Sequence, residues 1–96
     1  MRNYNEIFGE PKKAHGSMTL AELEERTETI WSYKGYLVAF GFVKHIDGWS
    51  YQTVRVWKTD GENCELKFEM PDLCAADMQA FRMAKKWAEQ NINKIA

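Results

Sequence analysis

Ninety-six residues, 45% of them apolar and 28% charged, describe one globular domain near the size below which a core needs staples. The net charge is −1, with −3 gathered in residues 19–32, so the chain lacks the basic footprint of a nucleic-acid binder. The longest apolar stretch, Tyr36 to Val43, is far short of the roughly 20 residues that cross a bilayer. The N-terminus shows no charged-then-apolar secretory pattern, which places the chain in the cytoplasm as an expectation. Cys64 and Cys74 lie among apolar residues and read as reduced, buried hydrophobes.

Residues 1–17, MRNYNEIFGEPKKAHGS, carry Gly9, Pro11 and Gly16 and no sustained period. They read as a flexible arm, pinned at most by Tyr4, Ile7 and Phe8, ahead of a single domain over residues 18–96. Thr19 and Glu22 then have the spacing of a capping box, and Met18 and Leu23 that of a hydrophobic staple. Leu20, Leu23, Thr27 and Ile30 share one stripe of a helix, which is expected to end near Thr29 because the residues from Thr27 to Tyr33 are rich in strand formers. The strand formers from Thr27 to Tyr33 also admit a short strand at 29–33, turning at Lys34-Gly35.

Three strands are expected next, at 36–45, 49–58 and 63–70, joined at Ile46-Asp47-Gly48 and Thr59-Asp60-Gly61. Three-residue loops align Val38, Phe40 and Phe42 with Val54 and Val56, and those with Cys64, Leu66, Phe68 and Met70. The opposite face then holds Leu37, Ala39, Gly41, Val43, Tyr51, Thr53, Arg55 and Trp57, with Arg55 across from Glu65. Two-residue loops instead bury Arg55 against Leu66, and an unpaired buried cation costs several kcal/mol. Pro71-Asp72 closes the third strand, and an uninterrupted helix is expected from Leu73 to Ile95, apolar at Ala80, Phe81, Ala84, Trp87, Ala88, Ile92 and Ile95. The fold class is α+β, in the order α-β-β-β-α: a three-stranded antiparallel meander with the long C-terminal helix packed on one face.

Chemistry-bearing residues are few. His45 beside Asp47 reads as a turn histidine, and Asp72 and Asp77 oppose a thiolate at Cys74. Two cysteines and two histidines at these spacings assemble no zinc site, and no phosphate-cradling glycine loop is present. No catalytic residue, metal or cofactor is therefore expected. The second face is different, because Tyr51, Arg55 and Trp57 are of the types that dominate binding hot spots. The acidic helix offers Glu24, Glu25 and Glu28, carboxylates suited to a basic groove. A foreign protein, the chain's own N-terminal segment and a second copy are the three candidate covers of that face.

The order helix, meander, helix over residues 19–95 resembles the double-stranded-RNA-binding domain. That family has a Lys-rich start to its last helix, where this chain reads PDLCAADMQ, so its RNA chemistry does not carry over. In size, element order and acidic helix the same span resembles small anti-CRISPR proteins of phage and mobile elements. That resemblance implies a non-enzymatic inhibitor that docks on a host defence protein and blocks nucleic-acid access, without binding nucleic acid or membrane itself. The alternative is a small housekeeping-type protein that forms a homodimer through its sheet face.

Overall fold

The computed structural model describes residues 3–44, 50–75 and 77–95. Along them run α1 (Asn5–Phe8), β1 (Lys12–Lys13), β2 (Ser17–Thr19), α2 (Leu20–Arg26), β3 (Thr29–Tyr33), β4 (Tyr36–Lys44), β5 (Ser50–Thr59), β6 (Asn63–Glu69), β7 (Cys74–Ala75) and α3 (Met78–Ile95). The strands form one antiparallel sheet in the order β1-β6-β5-β4-β3, with β2 also on β6 and β7 also on β5. The three expected strands are thus the centre of a wider sheet. The short strand at 29–33 does form, and it turns through Lys34 and Gly35, whose φ angles of 48° and 81° are those of a two-residue hairpin.

Between β4 and β5 the register is the expected one: Val38 lies opposite Val56, Phe40 opposite Val54, and Ala39 opposite Arg55. The joining turn, with His45, Asp47 and Trp49, lies outside the described residues. Between β5 and β6 the expectation needs correction. Thr59 pairs with Cys64, so four residues, Asp60 to Asn63, make the turn in place of three. The Asp60 carboxylate accepts the N–H groups of Asn63 (2.7 Å) and Glu62 (2.9 Å), and Thr59 Oγ1 accepts that of Gly61 (3.0 Å). An even-numbered loop by itself sets Trp57 opposite Leu66, the parity that buries Arg55. A bulge between Val56 and Trp57 reverses the parity further along, where Val56 meets Phe68 and Arg55 meets Glu69. Cys64 and Leu66 therefore belong to Trp57's face, and Phe68 and Met70 to Val56's. Arg55 pairs with Glu69, at 3.2 Å, and not with Glu65.

The last helix also begins later than expected. Cys74 and Ala75 are taken by the sheet, opposite Gln52 and Tyr51, and Asp77 caps the helix by accepting the Ala80 N–H at 2.8 Å. From there Phe81, Ala84, Trp87, Ala88 and Ile92 lie over Val38, Phe40, Val54, Val56 and Phe68, and form the larger core. Phe81 packs on Phe40 with ring centroids 4.7 Å apart, and Trp87 meets Phe68 edge-on at 5.7 Å.

From Asn3 onward, the segment expected to be a flexible arm joins both layers. Lys12 and Lys13 pair with Glu69 and Phe68, and Ser17 to Thr19 pair with Glu65 to Asn63. The preceding turn, α1, is tied to α3 by a reciprocal amide pair. Asn91 Nδ2 donates to Asn5 Oδ1 at 2.8 Å, and Asn5 Nδ2 donates to Asn91 Oδ1 at 3.2 Å. Tyr4 N donates to Gln90 Oε1 (3.1 Å), and the Trp87 indole N–H to the Gly9 carbonyl (3.0 Å). Gly9 is required there: its φ is 92°, and a Cβ would stand 2.7 Å from Pro71 Cγ.

Candidate functional site

On the face away from α3, the capping box forms as expected. Thr19 Oγ1 accepts the Glu22 N–H at 3.1 Å, while Glu22 Oε1 accepts from Thr19 N at 3.5 Å. Set at this angle, α2 lays Leu23 over Leu37, Ala39, Trp57 and Cys64, with Met18, Leu20, Ile30 and Leu66 around them. Trp57 thus stands on the expected face but is only 5% exposed, sealed by the chain's own α2 and β2. It is a core residue, unavailable as a docking anchor. Among the described residues its indole N–H has no hydrogen-bond partner, and on the α3 face the buried Gln52 Oε1 likewise has none.

Among the described residues, the cover of α2 and β2 stops part-way along the sheet. Beyond Ala39 and Trp57, the same face continues through Gly41, Thr53 and Tyr51 to Ala75 and Leu73. Arg55 is exposed there with Glu69 at its side, Tyr51 and Thr53 are half-buried, and Leu73 is 44% exposed. A groove of about 280 Å³ runs between these strands, lined by Thr53, Arg55, Glu69, Pro71, Asp72 and Leu73. Leu73 and Ala75 were not legible as part of this surface, because the sequence places them inside the last helix. The apolar residues directly after Pro71-Asp72 are the signal that points to them.

The carboxylates lie elsewhere. Glu24 and Glu25 are exposed on α2, which ends at Arg26, so Glu28 stands past the helix, in the bend before β3. Glu24 borders a groove with Gly61 and Glu62, at the β5–β6 turn. Tyr51 is at the other end of β5, eight residues from Thr59, or roughly 26 Å along an extended strand. The structure therefore sets Glu24 far from Tyr51, while Trp57 lies beneath α2 itself and Glu28 precedes Thr29, which is level with Phe40 and Val54.

A third groove, of about 600 Å³, is lined by His15, Gly16, Ser17, Lys58, Thr59, Asp60, Asn63, Cys64 and Glu65. Its cysteine is 1% exposed and gives its S–H to Thr59 Oγ1 at 3.7 Å. Cys74 is buried as well; loss of solvent pushes its thiol above the ordinary range, with the Asp77 charge acting in the same direction. Among the described residues no group of three His, Cys, Asp or Glu is placed to hold a metal ion. No helix of the described residues is long and apolar enough to cross a membrane. Comparison with protein-family models, curated proteins and solved structures gives no match to this chain.

Proposed function

We propose that this chain is a non-enzymatic binding module for another protein. In its sharpest form it is a small inhibitor, of the type that phage and mobile elements encode, docking on a host defence protein and blocking nucleic-acid access. The observation that carries the reading is the open end of the second face. There Arg55 and Leu73 line a groove, with half-buried Tyr51 further along β5, beside a stretch of the same face that α2 covers. Glu24, Glu25 and Glu28 supply the electrostatic half, since exposed carboxylates compete with phosphates for a basic groove. Glu24, beside the β5–β6 turn, lies far along the sheet from Tyr51, whereas Glu28 stands nearer Tyr51's end, so a partner that meets them all spans much of the sheet, as an extended nucleic-acid channel does.

The test is capture from host lysate by the wild-type chain and by a Tyr51→Ala, Arg55→Ala, Leu73→Asp variant. The captured protein is then assayed for nucleic-acid binding with and without this chain. The variant is expected to keep its circular dichroism spectrum and lose capture. Equal capture by both chains removes the open end as the contact, and unchanged nucleic-acid binding removes the inhibitor reading.

A further inference from the structure

The sheet has two edges, and the chain treats them differently. At β6 the N-terminal segment adds β1 and β2 along the strand. At the other edge β3 pairs only with β4 among the described residues. Thr29–Tyr33 reads TIWSY, with no Pro, no charge and no bulge, the devices that normally keep an exposed strand from pairing.

The direction of its free hydrogen-bonding groups follows from the hairpin. A two-residue turn makes Tyr33 and Tyr36 a hydrogen-bonded pair, so alternation gives the inward groups to Thr29, Trp31 and Tyr33. Gly35 O accepts from Thr59 N (3.2 Å), the phase that this alternation requires on the far side of β4. Ile30 and Ser32 therefore direct their N–H and C=O groups outward.

We propose that this edge pairs with the same edge of a second copy, antiparallel, about a two-fold axis at Trp31. In that register Ile30 of each copy meets Ser32 of the other, so both outward residues of both chains are hydrogen-bonded and the whole strand overlaps. A shift of the axis to Ile30 or Ser32 leaves outward groups unpaired. Trp31 meets Trp31 at a non-hydrogen-bonded site, where side chains approach closest, and it already stacks on Tyr33 with centroids 5.2 Å apart. The two copies then share a row of aromatic rings on the α3 side.

Charge selects the second copy over an arbitrary strand. Glu28 and Lys34, both exposed, flank β3, and the register sets Glu28 of each copy opposite Lys34 of the other. A wholly acidic or wholly basic segment satisfies one end and is repelled at the other. This association uses the sheet's edge and leaves the open end of the second face free, so it stands independently of the proposed function.

Five paired residues a side make a small interface, and a dimer half-formed at about 100 µM is expected. Sedimentation equilibrium across that range tests it. Ser32→Pro removes only an outward N–H, which an edge strand tolerates, so this variant should keep its melting curve and sediment as one chain. Glu28→Lys should weaken the dimer about tenfold, and Glu28→Lys with Lys34→Glu should restore it. The proposal is overturned if the wild type keeps the mass of one chain at ~1 mM. It also falls if Ser32→Pro dimerises as well as the wild type, or if the double exchange fails to restore the loss.

Discussion

The two faces of the sheet are built from similar residues and end in different states. Under α3 the core is continuous, and its tryptophan, Trp87, is fully buried with its N–H bonded to Gly9. Under α2 the core is short, and among the described residues its tryptophan is buried with an unpaired N–H and the sheet beyond it has no cover. A helix of 18 residues reaches across a sheet that a helix of seven covers only in part. Surface for binding is left wherever the covering element is too short.

The most severe way to sharpen this contrast is Trp87→Ala, expected to cost about 4 kcal/mol or to prevent folding. Trp57→Ala is expected to cost less, read as urea midpoints at constant slope. The Phe variants separate the faces more cleanly. Trp87→Phe strands the Gly9 carbonyl at a cost of about 2 kcal/mol beyond the change in shape, whereas Trp57→Phe deletes an N–H that bonds nothing among the described residues. Equal losses for the two break the comparison.

Asn91→Ala is next, at about 2 kcal/mol, because it leaves the Asn5 amide without its buried partner. Trypsin cutting at Lys12–Lys13 should accelerate in that variant more than cutting within β5. Arg55→Ala, at the open end, should change stability by about 0.5 kcal/mol or less, since its ion pair with Glu69 is solvent-exposed. Smallest is Asp60→Ala at the β5–β6 turn. The N–H bonds from Asn63 and Glu62 hold this carboxyl below its ordinary range, so its contribution is present above the unfolded pKa. The gap between wild type and variant should therefore close as pH falls through the carboxylate range.

The α+β class, the α3 core, the capping box and the β4–β5 register were legible because each rests on local pattern: a period of two, a period of 3.6, or a named pair of side chains. The β5–β6 register was not, because a four-residue turn and a bulge compensate each other. The sequence argument that Arg55 stays out of the core still holds, by this other route. The arm was illegible for another reason. Its partners, Asn91, Gln90 and Trp87, lie 78 to 86 residues away in sequence, and no short-range pattern encodes them. Of the candidate surface, Tyr51 and Arg55 were placed correctly on the strand, and Trp57 was withdrawn by α2, a tertiary contact that alternation does not foresee.

That long-range tie has a consequence for how the protein folds. Asn3 to Gly9 bond to Trp87 to Asn91 across separations of 78 to 87 residues, so this clasp closes only when two remote stretches have met. Until then the Asn5 amide has a near neighbour, Glu10, as its partner, and the Gly9 carbonyl has water. The clasp is therefore a late contact in folding, and cutting either stretch away leaves the other open.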